Sequence, residues 1–135
     1  MSEEVPIPTE ASLMSFVFGD EVSSAHLREV MSGPAASTYN EIVSPTNRPI
    51  WARRVLPLET TGLVNLAILA CLNRPRELYT RVLGLLRGGI SVQQIQEVFL
   101  HIGFYVGNPA GVEATAALHD AMKNLHERGI AYRES

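Results

Sequence analysis

The chain has 135 residues, of which 46% are hydrophobic and 19% are charged, and its formal net charge is −3. These values are typical of one globular domain with a buried core, and they exclude an intrinsically disordered chain. Acidic and basic residues are interspersed, so the sequence predicts no basic face that would bind nucleic acid or anionic lipid. The single cysteine, Cys71, excludes an internal disulfide and a CxxC redox pair.

The sequence also predicts a soluble, cytoplasmic protein. Its first ten residues are acidic and contain no apolar core of the kind that a signal peptide needs. The longest apolar run, residues 66–72, is far shorter than a membrane span. We therefore expect neither secretion nor insertion into a membrane.

The N-terminal part of the chain predicts an arm followed by short helices. We expect residues 1–10 to form the arm and residues 11–135 to form a single domain. The short helices are predicted at residues 11–18, 24–31 and 35–43. Two prolines and several turn-forming residues predict a loop at residues 44–49.

The rest of the chain predicts longer helices. They cover residues 57–72, 75–87, 91–106 and 109–128. The first of them is apolar on nearly every face from residue 63 onward, which favours a central, fully surrounded position. Because no segment alternates polar and apolar residues for long, the predicted fold class is all-α.

The helix over residues 91–106 is the most informative of these. Ser91 and Gln94 form the S-x-x-Q pattern of a capping box, and Gly107 marks the helix end. One apolar stripe is formed by Val92, Ile95, Val98, Phe99, Ile102 and Val106. Beside that stripe runs a polar column, spaced four residues apart and formed by Glu97, His101 and Tyr105. A histidine and a phenol on the flank of an apolar helix are the best candidates for chemistry.

The chain resembles the gamma-carboxymuconolactone decarboxylase family, a branch of the alkyl hydroperoxidase D-like superfamily. The resemblance runs from about residue 18 to the C-terminus. It rests on Ile50, Trp51, Arg53, Ala67, Leu72, Asn73, Arg74, Glu77, Leu78, Gly89, Glu97, Val98, His101, Tyr105, Gly107, Pro109 and Ala110. It implies an all-helical bundle without a cofactor, assembled as a homo-oligomer, a trimer or hexamer, with active sites near the subunit contacts.

Two departures from the family pattern concern the site. The family's decarboxylases usually carry a histidine where this chain has Arg81, and an arginine-rich stretch where it has residues 58–61. Arginines there would suit the carboxylates of a dianionic lactone, so their loss argues for a different substrate. The redox branch uses a CxxC pair, and Cys71 has no resolving partner, which argues against disulfide-based peroxide reduction.

Three residues are candidates for catalysis. His101 is a candidate general acid or oxyanion donor because histidine titrates near neutral pH, and the alternative is a surface histidine bonded to Glu97 or Tyr105. Arg81 would hold a carboxylate or an enolate, and the alternative is a surface arginine. Tyr105 is a candidate proton donor, although a structural role is the simpler interpretation.

Three further residues are candidates for substrate binding. Trp51 and Arg53 would form a pocket wall with a cation, unless the tryptophan is simply an anchor for the preceding loop. Glu59 lies near the start of a helix, where the helix dipole favours a carboxylate in any case. We found no His, Asp, Glu and Cys set with metal-ligand spacing and no glycine-rich phosphate loop, so we expect no metal and no cofactor.

The predicted function is a cofactor-free lyase or isomerase that acts on a small unsaturated lactone or related acid through a stabilised enolate. The resemblance implies a role in the breakdown of aromatic compounds. The alternative is a non-catalytic oligomeric binding protein on the same scaffold. A diverged hydroperoxidase-like protein is a weaker alternative because of the single cysteine.

Overall fold

The computed structural model describes residues 25–135, apart from the side chain of Arg48. Every regular element in this range is helical, which confirms the all-α prediction. The predicted arm and the predicted helix over residues 11–18 lie outside the described residues. The described elements are α1 (Ala25–Ser32), a 3-10 helix (Pro34–Ala36), α2 (Ser37–Ile42), α3 (Ser44–Ala52), α4 (Leu58–Cys71), α5 (Pro75–Arg87), α6 (Val92–Tyr105) and α7 (Asn108–Glu127).

The core lies among the four C-terminal helices. Helices α5 and α6 each pack against both α4 and α7, whereas α5 and α6 have little direct contact with each other. They therefore lie diagonally across the bundle. The fully buried large side chains are Leu66, Val82, Leu83, Leu85, Leu86, Ile95 and Leu125. None of the described helices is long and apolar enough to span a membrane.

The loop predicted at residues 44–49 is wrong, because these residues form most of α3. Pro45 occupies the first turn, where a missing N–H costs no intrahelical bond. The Thr46 hydroxyl donates to the carbonyl of Val43 at 2.7 Å, and the Ser44 hydroxyl donates to Asn40 at 3.0 Å. These local bonds and the burial of Trp51 at the end of α3 hold the helix despite the internal Pro49.

The prediction that α4 is fully surrounded is also wrong within the described chain. Its buried side consists of Gly62, Leu66 and Ala70. The opposite side is an exposed apolar stripe formed by Val64, Ile68 and Leu72. Cys71 is exposed as well. The apolar sequence of α4 predicted burial correctly only for the side of the helix that faces α5, α6 and α7.

The N-terminal amides of α6 are bonded by the capping box and by the C-terminal tail. The predicted capping box is present, since Ser91 Oγ accepts from the Gln94 amide at 3.1 Å and Gln94 Oε1 accepts from the Ser91 amide at 2.9 Å. The C-terminal tail supplies two more acceptors, the carbonyls of Arg133 and Glu134, to the amides of Val92 and Gln93. The first three amides of the helix are therefore all bonded.

Helices α6 and α7 approach each other closely through two glycines. A Cβ atom on Gly111 would lie 2.9 Å from the Cα atom of Gly103, a distance that leaves no room for a side chain. The turn between the helices uses Gly107, whose φ of +141° suits glycine. On α7 Val112 and Ala116 are exposed, and small residues make the close packing. These are Ala114, Ala117 and Ala121.

Candidate active site

Arg81 is a buried cation in the apolar centre of α5. Only 9% of the residue is exposed, and its helical neighbour Val82 is fully buried. Its guanidinium carbon lies 5.0 Å from the centroid of the Trp51 ring, within cation–π range. Burial lowers the pKa of Arg81 to about 10, so the side chain keeps its charge at neutral pH. The alternative of a surface arginine is therefore wrong.

Trp51 places an aromatic face against that charge. The side chain is buried at the C-terminal end of α3, which agrees with its interpretation as an anchor. Its backbone carbonyl accepts from Arg54 Nη1 at 3.3 Å, and Arg54 itself adopts a left-handed φ of 58°. Arg53 is exposed beside it. Trp51 thus serves at once as an anchor for α3 and as a wall beside Arg81.

The polar column on α6 has the predicted geometry but lies on the surface. His101 Nε2 is 3.9 Å from Glu97 Oε1, and the His101 and Tyr105 rings are nearly parallel with centroids 6.2 Å apart. Phe104 meets Tyr105 edge-on at 4.9 Å. The side chain of His101 is 65% exposed and Tyr105 is 77% exposed. This is the arrangement expected of a surface histidine bonded to its neighbours.

The structure does not bring this column together with Arg81 inside one chain. Arg81 lies on α5 and His101 on α6, the two helices at diagonal positions of the bundle. Arg81 is buried on the inner side of its helix, whereas His101 faces away from the core. The sequence-predicted residues therefore form two separate groups, one buried and one exposed.

Glu59 is engaged in a structural contact. The side-chain amide of Gln94 donates to Glu59 Oε1 at 2.6 Å, and the same Gln94 belongs to the capping box of α6. The carboxylate thus joins the first turn of α4 to the first turn of α6. Among residues 25–135 no group of three or more His, Cys, Asp and Glu side chains is placed to hold a metal ion.

Sequence reasoning missed one polar group in the interior. Asn65 lies within α4, and its Oδ1 atom is buried with no hydrogen-bond partner in the part of the chain that the structure describes. In the sequence it is simply the polar interruption of an apolar helix. The sequence signal is an amide side chain inside an otherwise apolar helix. Burying an amide oxygen without a partner costs about 1–3 kcal/mol, so such a residue needs an explanation.

Comparison with known proteins places these residues in a family. The model described as the Carboxymuconolactone decarboxylase family matches residues 41–120, a range that includes both groups of candidate residues. The chain is also 34% identical over 82 residues to the 4-carboxymuconolactone decarboxylase of Acinetobacter baylyi. That match covers 61% of this chain and 59% of the length of the relative. The chain therefore belongs to the carboxymuconolactone decarboxylase family.

Proposed function

We propose that the protein is a cofactor-free, decarboxylase-like lyase or isomerase that acts on a small unsaturated lactone or a related acid. Membership of the family and the name of the Acinetobacter relative support the reaction class. The observation that carries the proposal is the buried guanidinium of Arg81 against the Trp51 ring. A permanent cation beside an aromatic face suits a flat, conjugated anion.

Arg81 would stabilise the charge that develops during the reaction. When carbon dioxide leaves such an acid, the bonding electrons pass through the double bond toward the lactone carbonyl and produce a dienolate oxygen. A fixed guanidinium in a poorly solvated position interacts with that oxygen more strongly than it would in water. Its cation–π contact with Trp51 would hold the guanidinium in place, so little reorganisation is needed during the reaction.

A separate group must return a proton to carbon. Arg81, with a pKa of about 10, is a poor donor at neutral pH, so we assign this step to His101 or Tyr105. Both are exposed on α6 and lie apart from Arg81 in one chain. We therefore propose that a homo-oligomer, a trimer or hexamer, places the column of one subunit beside the Arg81 cluster of another.

The surroundings of the column support such an assembly. Leu100 and Phe104 are exposed large apolar side chains on α6 beside the column, and the exposed Val106 follows the end of the helix. The exposed stripe of α4 adds Val64, Ile68 and Leu72. Apolar surface of this extent is typical of protein interfaces rather than of a solvated face.

The alternative function is that of a non-catalytic binding protein. The exposure of His101 and Tyr105 favours it, because neither side chain is held in a protected position in the single chain. In this case the Arg81 cluster would bind an acid without converting it. A hydroperoxidase-like activity would need a second thiol, which the sequence lacks.

One experiment separates these functions. Purified protein is incubated with a panel of enol-lactones and unsaturated lactone acids, and turnover is followed by ultraviolet absorbance. Titration calorimetry with the same acids measures binding. Turnover that is lost in Arg81→Leu supports the enzyme, whereas Arg81-dependent binding without any turnover supports the binding protein. If the protein neither binds nor converts any acid in the panel, the proposal is wrong.

A further inference from the structure

Asn65 supplies the observation from which a second ligand contact can be inferred. Its Oδ1 atom is buried and accepts no hydrogen bond from residues 25–135. Native proteins rarely leave such an atom without a donor, because its desolvation is not compensated. A bound ligand that carries an O–H or N–H group would supply the missing donor.

The α4–α5 hairpin places Asn65 and Arg81 at the same height. Asn65 lies eight residues before Asn73 and Arg81 lies eight residues after it. Asn73 is the left-handed residue at the turn, with φ of 51°, and the Arg74 amide closes the turn on the Leu69 carbonyl at 3.2 Å. At a rise of 1.5 Å per residue, both side chains are about 12 Å from the turn.

The helical period puts Asn65 on a different flank of α4 from the one that contacts α6. Glu59 contacts α6 through Gln94, so the flank of α4 that carries Glu59 faces α6. Asn65 lies six residues further on, about 120° away around the helix axis. It shares its flank with Leu69, four residues on, a partly buried side chain that packs against the core.

We propose that Asn65 and Arg81 together bind a small, planar, unsaturated monocarboxylic acid that carries a hydroxyl or N–H group. The ligand's anionic oxygen pairs with the Arg81 guanidinium, and its plane lies near the Trp51 ring. Its hydroxyl or N–H donates to Asn65 Oδ1. A group without an O–H or N–H in that position would leave Asn65 Oδ1 without a donor, so the site prefers hydroxy acids to their methoxy counterparts. This inference rests on the proposed function, since it uses Arg81 as the anion contact.

The test is a comparison of matched acids by titration calorimetry. Benzoate, the three hydroxybenzoates and the corresponding methoxybenzoates serve as unreactive planar probes. We expect at least one hydroxybenzoate to bind about tenfold more tightly than benzoate, and its methoxy counterpart to lose that advantage. In Asn65→Leu the advantage of the hydroxyl should disappear while the affinity for benzoate stays within about threefold.

Two controls separate recognition from structure. Gln96→Leu removes an exposed amide from α6 and should leave the hydroxyl preference unchanged. Asn65→Ala is the second variant if the leucine disturbs packing, and thermal unfolding identifies any loss of fold. A purely structural role for Asn65 would weaken the binding of all the acids together.

The outcomes distinguish this inference from the proposed function. If the acids bind and need Arg81 but show no hydroxyl preference, or if the preference survives in Asn65→Leu, the inference about Asn65 is wrong. If no acid binds to the wild-type protein, the anion site itself is refuted.

Discussion

The Arg81–Trp51 pair and the column of Glu97, His101 and Tyr105 each combine charged or polar groups with an aromatic ring. The pair is buried, whereas the column is exposed to solvent. In the first, a guanidinium is enclosed by apolar side chains and an aromatic ring. In the second, an imidazole, a carboxylate and a phenol are aligned along a helix surface. Solvent screens interactions at the second site far more than at the first.

This difference in burial suits the two regions to different steps of the proposed reaction. The buried cation is positioned before any ligand arrives, so it is suited to stabilise charge. The groups of the column are exposed to solvent, so within one subunit they cannot protect a reactive intermediate from water. Catalysis that uses both regions requires a second subunit to cover the column.

The largest expected effect on folding is at Trp51. We expect Trp51→Ala to reduce the free energy of unfolding by about 3–5 kcal/mol, because it removes a large buried side chain and exposes Arg81. The same truncation at Tyr105 should change it by no more than about 0.5 kcal/mol in the isolated subunit. Urea unfolding of both variants, under conditions that give monomers, measures the contrast. Equal losses would show that the two regions do not differ in burial as described.

The next effect concerns the buried charge. Arg81→Leu should lower kcat/KM by an amount on the order of 2–4 kcal/mol, the range for loss of one oxyanion contact. Urea unfolding of the same variant separates a loss of fold from a loss of the oxyanion contact. Arg76→Leu, at an exposed position of the same helix, is the control and should leave kcat/KM unchanged. Full activity in Arg81→Leu would remove the cation from the mechanism.

The sequence predicted the positions of the helices of the bundle better than it predicted which of their faces are buried. Periodicity and capping residues identified α4 to α7 and the capping box at Ser91, because these depend on local contacts. The sequence could not show that Val64 and Ile68 on α4 are exposed. An apolar helix has the same sequence pattern whether its own chain or a second chain covers it. The helix at residues 44–52 was missed because its proline-rich sequence is stabilised by side-chain bonds and by the burial of Trp51.

For the candidate site the spacing on α6 predicted which side chains would be neighbours, but not their exposure. Burial depends on how four helices are arranged, and no local pattern contains that information. The same limit explains why Arg81 and Asn65 were not connected. Their common height follows from the hairpin turn at Asn73, while their burial follows from tertiary packing.

His101 gives the sharpest test of the exposed region. If the column supplies the proton, His101→Ala should lower kcat by about tenfold or more and leave substrate binding less affected. His119→Ala, at an exposed histidine of α7, is the matched control. Full activity in His101→Ala would show that the column is structural.

Association of subunits should respond to Phe104, which is 80% exposed beside Tyr105. We expect wild-type protein to be larger than a dimer, and Phe104→Asp to shift it to smaller species because a charge would be buried at the contact. His119→Asp places the same charge on α7 and should not alter the mass. Sedimentation velocity at micromolar concentration measures all three. A monomeric wild-type protein would contradict the proposed assembly.

The smallest expected effect is at Cys71, which is exposed at the C-terminal end of α4. The proposed decarboxylation transfers no electrons to or from the protein, and it uses a guanidinium and a proton donor rather than a thiolate. We therefore expect Cys71→Ser and treatment with thiol-blocking reagents to leave kcat/KM within about twofold of the wild-type value. Dialysis against a chelator should also have no effect. A loss of activity in Cys71→Ser protein that is folded and normally assembled would mean that the thiol takes part in the chemistry. Activity that a chelator removes and an added metal restores would mean that a metal does.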